Sequence, residues 1–437
     1  MTSHDRLKSW TREVAAAFPC LSRPQATVLA LYSFGVILAG RCGLTSVVMM
    51  LVQALGVGYL TMRSRLQEFY QPASAKSGRR RRELNVTVCF GPLITWVLKG
   101  WQSHQLALAL DATSLGDRFT ALSVSIVYRG TACPVAWKIT QANVRHAWKP
   151  EWIALLRLVQ PLVPAGWKVI VMSDRGLYAR WLFQEIVALG WHPLMRITRA
   201  GRFRKNGSRV DVPVTALARK PGRRWKGRGV AFPKRRRCRL DCTLFACWEA
   251  GYKQPWFIVT DLEPDQSEGL WYAMRSWIEH GYKLFKSQGW QWHKSRMTDP
   301  ERASRLWLVL AVATRYMLGV GGKADADDTD DQMRPLPPFV SGTHRAVGPV
   351  ARRRDRTKRS VGGRVASPRA PYKRASGTRQ RLLSVFRRGM TVLLGFLVAG
   401  HALPNPPWKP EPWLEIGANY RTYPDQPPSP IPKNPSP

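Results

Sequence analysis

Two short apolar runs in this chain end on acids, and the elements around them restrict the fold more than any other feature. LALAL at 106–110 runs into Asp111, and VIVMS at 169–173 runs into Asp174. Both read as buried strands. FTALSVSIVYRG and CPVAWKIT follow Asp111 as two further strands separated by a Gly-containing turn. PEWIALLRLVQPLV has helical spacing after a Pro-Glu start, and LYARWLFQEIVALG is a second helix closed by Gly190. HPLMRIT then reads as another strand.

Three strands, helix, strand, helix, strand is the order of a ribonuclease-H-like fold, an α/β (mixed α+β) core. Residues 1–95 read as a helical DNA-binding region, and 96–198 as the first part of the core. LTSVVMMLVQALGV and GYLTMRSRLQEFY form two helices about a Gly-containing turn, the second carrying Arg63 and Arg65. That pair fits a helix-turn-helix and an ordinary helical hairpin equally well. SAKSGRRRRE reads as a basic linker.

Residues 199–255 break the core pattern and read as a basic, β-rich insertion; 199–239 alone hold sixteen Lys/Arg against one acid, Asp211. Residues 256–322 read as the second part of the core, and 323–437 as a basic, Pro-rich and partly disordered tail. GVGG at 319–322 reads as a helix stop, and order is expected to fade from the acidic run KADADDTDD onward. NPPWKPEPW through the C-terminal PPSPIPKNPSP reads as disordered, with one helix expected near 379–400.

Charge narrows the partner. The chain carries 68 Lys+Arg against 28 Asp+Glu, a formal net charge of +40. A surface that positive repels itself unless a polyanion neutralises it, and nucleic acid is the polyanion expected. The seven cysteines are odd in number, and only Cys238, Cys242 and Cys247 cluster, at no zinc-site spacing. They read as small apolar strand residues in a reducing cytoplasm. The polar stretch MTSHDRLKSW does not read as a secretory signal. The apolar run Leu44–Met62 reads as buried helices of a small bundle, so no membrane partner is expected.

A third acid lies in WYAMRSWIEHGYKLFK, residues 271–286. Read as one helix, this segment puts Tyr272, Arg275, Glu279 and Lys286 on a single stripe. Three converging carboxylates, Asp111, Asp174 and Glu279, can hold two divalent metals that activate a nucleophile and stabilise a leaving oxygen in phosphodiester chemistry. Oxygen donors and a phosphate substrate favour Mg²⁺. Asp117 is the rival to Asp111, set aside because LGDRF reads as a turn. No P-loop, dinucleotide fingerprint or Ser-His-Asp grouping is evident.

Tyr272, Arg275, Glu279 and Lys286 complete the pattern Tyr-x2-Arg-x3-Glu-x6-Lys. With LALDATS and VMSDRGL, the chain resembles DDE transposases of the insertion-sequence-4 type over roughly residues 40–320. The resemblance implies cut-and-paste transposition by two Mg²⁺ ions, with Mn²⁺ able to substitute, held by Asp111, Asp174 and Glu279. It implies that Tyr272, Arg275 and Lys286 grip the DNA backbone beside the scissile bond. It further implies two subunits bridging two double-stranded terminal inverted repeats and a target, on the bacterial nucleoid. Trp225 and Trp248 become candidates to stack on an extruded base. A structure-specific nuclease and a non-catalytic basic DNA-binding protein are the competing expectations.

Overall fold

A computed structural model of the chain describes residues 2–76, 81–142, 144, 148–249, 252–327 and 383–416. Five helices lead: α1 (Ser3–Ala17), α2 (Arg23–Ala39), α3 (Leu44–Leu55), α4 (Tyr59–Tyr70) and α5 (Thr87–Leu98). Reciprocal capping starts two of them: Thr2 with Asp5 at α1, Ser22 with Gln25 at α2. Gly40 and Gly56, at φ 61° and 63°, close α2 and α3 in the left-handed conformation that glycine adopts without strain. The apolar run 44–62 is therefore two helices joined at Gly56–Gly58, each burying one face: Val47, Val48, Leu51 and Leu55, then Met62, Leu66 and Phe69.

The core follows as β1 (Gln105–Leu115), β2 (Phe119–Tyr128), β3 (Thr131–Gln141), α6 (Trp148–Val159), β4 (Lys168–Ser173), α7 (Arg180–Ala188) and β5 (His192–Arg196). β1, β2 and β3 pair antiparallel, whereas β4 lies parallel to β1 and β5 parallel to β4. The resulting order, 3-2-1-4-5, is the ribonuclease-H-like arrangement expected from the element order.

The basic stretch then adds β6 (Arg202–Lys205), β7 (Asp211–Pro213), β8 (Arg223–Ala231) and β9 (Leu240–Trp248), followed by β10 (Trp256–Thr260). β10 pairs antiparallel with both β5 and β9, so these strands prolong the core sheet into one of ten strands. Cys242 and Cys247 are buried apolar members of β9, and Cys238 is exposed beside it.

A 3₁₀ segment, Gly269–Ser276, leads into α8 (Trp277–Phe285), which packs on β3 with the 28-residue α9 (Pro300–Asp327). α9 is long and apolar enough to cross a membrane, but its apolar 18-residue stretch is buried inside the fold. The expected helix stop at 319–322 is corrected: the helix runs through all four residues. Helical glycine costs about 1 kcal/mol relative to alanine. Here it permits close packing, because a side chain at Gly321 would collide with the Val385 carbonyl of α10 (Val385–Val398) and one at Gly322 with the Tyr128 hydroxyl.

Order does not fade over 323–327, the described part of the acidic run, either. Asp325 is 2% exposed and pairs with Arg129 at 2.9 Å. The expectation of disorder from NPPWKPEPW onward is corrected for residues 405–416. Trp408 is fully buried on the Tyr128 ring, centroids 4.3 Å apart, and its Nε1–H donates to the Arg315 carbonyl at 2.9 Å. The Leu414 carbonyl accepts from Trp271 Nε1 at 2.8 Å. Prolines limit what such a segment can do unfolded, so one buried tryptophan and the bond at Leu414 go far toward holding it in place. The expected helix near 379–400 is α10. The rest of the tail, 328–382 and 417–437, lies outside the described residues.

Candidate active site

The parallel ladder of β1 and β4 ends at the pair Leu110–Ser173. The next residues on the two strands are Asp111 and Asp174, so their backbones stand side by side. Asp174 follows the last residue of β4, as expected, but Asp111 lies within β1, which continues to Leu115 in its hairpin with β2. The sequence placed Asp111 at a strand end; the end that matters is that of the β4 ladder. Asp111 Oδ1 accepts from the Ala112 N–H and Asp174 Oδ1 from the Leu177 N–H, each at 2.9 Å. These bonds orient both carboxylates while leaving the other oxygens free to face the same side. Asp117 lies in the turn between β1 and β2.

The segment expected to be one helix from 271 to 286 is corrected as well: it is 3₁₀ to Ser276 and α-helical only from Trp277. Glu268 caps its start by accepting from Leu270 N–H at 3.0 Å, and Gly269 lies too close to Phe245 of β9 to carry a side chain. At three residues per turn, Tyr272 and Arg275 eclipse, and both turn inward. Tyr272 is 5% exposed; its hydroxyl donates to the Ser173 carbonyl at 3.0 Å and its ring meets Trp256 edge-on. Arg275, expected from the resemblance to grip the DNA backbone, is 8% exposed in the DNA-free fold.

Arg275 is where the three acids meet. Its Nη2 stands 2.8 Å from Asp111 Oδ2 and 3.9 Å from Asp174 Oδ2, and its Nη1 3.0 Å from Glu279 Oε1. Burial raises the Asp111 carboxyl to about 6; Arg275 and the Ala112 N–H offset part of that, while Asp174 and Glu279 add to it. Burial also works against the charge of Arg275, but the carboxylates outweigh it and hold the guanidinium protonated.

Lys286, at the end of α8, also faces inward by half. Its Nζ donates to Thr113 Oγ1 and the Ser114 carbonyl, each at 2.6 Å, and burial lowers its pKa. Trp225 and Trp248 are half-buried: Trp225 meets Phe203 edge-on under the Lys205 ammonium, and Trp248 Nε1 donates to the Tyr252 carbonyl.

Two neighbours escape a motif reading. The Tyr282 hydroxyl lies 2.8 Å from both the Asp111 carbonyl and Ser123 Oγ, bracing β1 from α8. Arg196 follows Met195, the β5 partner of Ser173, so it occupies the position beside Asp174 across the next parallel pair. Its signal was available in sequence, as the charged residue ending the apolar strand HPLM.

The donor set is three carboxylates, all oxygen, which suits a hard divalent cation. Among the described residues, no three ligating side chains stand close enough to hold one as arranged, and the guanidinium of Arg275 lies between them.

Residues 102–315, just under half of the chain, match the family model described as "Transposase DDE domain". Among solved structures, a piggyBac transposase synaptic complex with hairpin DNA is similar at 11% identity and a TM-score of 0.40, covering 73% of this chain and 74% of that one. The likeness is loose. No curated protein sequence matches the chain.

Proposed function

We propose that this protein is a DDE DNA transposase of the insertion-sequence-4 type, and that Asp111, Asp174 and Glu279 form its catalytic centre. One observation carries the reading: acids 63 and 105 residues apart in sequence (174 − 111, 279 − 174) converge on one buried guanidinium at the end of a parallel ladder. The match of residues 102–315 to the transposase domain supports it.

Asp111, Asp174 and Glu279 would hold Mg²⁺. Two such ions, or Mn²⁺ in their place, would acidify an attacking water and neutralise charge on the leaving oxygen. The chain's own residues set the geometry. The β1–β4 register holds two acids at fixed spacing, Tyr272 fixes the backbone before Asp174, and Tyr282 fixes that of Asp111. Arg196 and Lys286 flank the acids as cations suited to backbone phosphates. Double-stranded element ends would lie across this edge, held by two copies of the chain, and the freed 3′-hydroxyl would attack target DNA.

The test is a nicking and strand-transfer assay on duplexes carrying the inverted repeats that flank the gene. Asp111→Asn, Asp174→Asn and Glu279→Gln should each abolish Mg²⁺-dependent cleavage while retaining end binding, since the remaining cations still grip phosphates. Full nicking by any one variant would remove that residue from the centre. Nicking without strand transfer by the parent would make the protein a nuclease.

A further inference from the structure

We infer that Arg275 is a resident counter-cation: in the DNA-free protein it fills the place of the divalent metal, and bound DNA draws it off onto phosphate, opening the acids. This inference rests on the reading of Asp111, Asp174 and Glu279 as metal ligands.

The geometry is that of a plug. One side chain ion-pairs all three acids, with Nη2 shared between the two strand carboxylates and Nη1 given to the helix carboxylate. Three carboxylates around one guanidinium leave the cluster negative, so it still attracts cations, yet the guanidinium stands where a cation shared by the three acids would sit. The plug is not fully satisfied. Arg275 Nε is buried without a hydrogen-bond partner, a cost that leaving the pocket would remove. Its backbone lies in a 3₁₀ segment, whose hydrogen bonds are poorer than those of an α-helix.

A DNA phosphate is the natural competitor for it. A planar guanidinium binds phosphate with two parallel hydrogen bonds, as it binds carboxylate. Arg275 stands one helical turn from Glu279, so a phosphate arriving at the acids comes within reach of the same side chain. Moving the guanidinium from acids to phosphate both grips the strand and frees the ligands. Metal and DNA should then tighten each other's binding by the same factor. A transposase armed this way holds metal weakly, and cuts slowly, until an end is seated.

The experiment is Mn²⁺ titration of the full chain by calorimetry, without DNA and with an end-bearing duplex, for the parent, Arg275→Gln, Arg275→Lys and Asp111→Asn. Without DNA, Arg275→Gln should bind Mn²⁺ roughly tenfold more tightly than the parent, a shift of about 1.4 kcal/mol. The duplex should tighten Mn²⁺ binding to the parent and leave Arg275→Gln little changed. Arg275→Lys should fall between them, because an ammonium cannot fork between three acids; it carries the test if the Gln variant fails to fold. Equal Mn²⁺ affinity in the parent and both Arg275 variants, with Asp111→Asn still impaired, would overturn the plug and keep the metal centre. Asp111→Asn binding Mn²⁺ like the parent would remove the metal reading and the plug with it.

Discussion

Tyr272→Phe separates two roles that the sequence motif leaves merged. The resemblance makes this tyrosine a DNA contact, whereas the fold buries it beneath the end of β4 with its hydroxyl on the Ser173 carbonyl, 3.0 Å away. Phenylalanine keeps the ring and its edge-on contact with Trp256, so only that hydrogen bond is lost. A neutral bond of this kind contributes about 1 kcal/mol net, rising to about 1–3 kcal/mol where a buried acceptor is left without a donor. Ser173 is fully buried, and Asp174 is the next residue. The variant should therefore melt at a lower temperature by the equivalent of about 1–3 kcal/mol and cleave more slowly, because the Asp174 carboxylate loses its fixed backbone. End binding should be unchanged. A thermal melt, a gel-shift titration on an end-bearing duplex and a nicking time course give the three readouts. Weakened DNA binding with an unchanged melt would refute the reasoning and put the hydroxyl on DNA.

Trp408→Ala should destabilise the protein by about 3–5 kcal/mol, the usual cost of truncating a fully buried tryptophan, read by chemical denaturation. Gly321→Ala should lower stability even though alanine is the better helix former, because its methyl meets the Val385 carbonyl; a melt no lower than the parent's would show that α10 yields freely. The Glu13 carboxyl, raised by burial to about 7 against the pull of Arg315 and Lys99, keeps its proton in the folded chain when the unfolded chain has lost it. Stability should thus fall as pH rises from about 4.5 to 7, and Glu13→Gln should flatten that fall in melts taken at pH 5 and pH 8.

The strands of the core are legible because each is a short apolar run bounded by Gly or charge, and the order alone leaves little choice of sheet. Asp111 and Asp174 stand together because each follows the last pair of the β1–β4 ladder, Leu110–Ser173, although β1 itself runs on to Leu115. The inward turn of Tyr272 and Arg275 is not legible, because a stripe drawn at 3.6 residues per turn fails where the chain opens as 3₁₀. What imposes 3₁₀ there is partly non-local: Gly269 is pressed on Phe245, a residue of β9 far upstream. The same holds for the C-terminal segment. NPPWKPEPW has a composition that usually stays unfolded, and only the surface made by Tyr128, Arg315 and Trp271 shows why it does not.

Net charge, too, divides in a way composition hides. Arg129, Arg275, Arg305 and Arg315 are buried, and Arg305 spends its guanidinium on the carbonyls of Leu84 and Tyr70 and on Glu83. In the basic strands, Arg204 pairs with Asp211, Arg224 with Glu249, and Lys226 donates to the Pro264 carbonyl. These cations hold the sheet extension together and are poorly placed to meet DNA. The turn between β8 and β9 is different: Lys234, Arg235, Arg236, Arg237 and Arg239 are all exposed. That turn is tied to the loop after Asp174, through Arg180 donating to the Arg237 carbonyl and through Phe232 against Tyr178. The exposed charge of the insertion is therefore tied, through Tyr178 and Arg180, to the segment that follows Asp174.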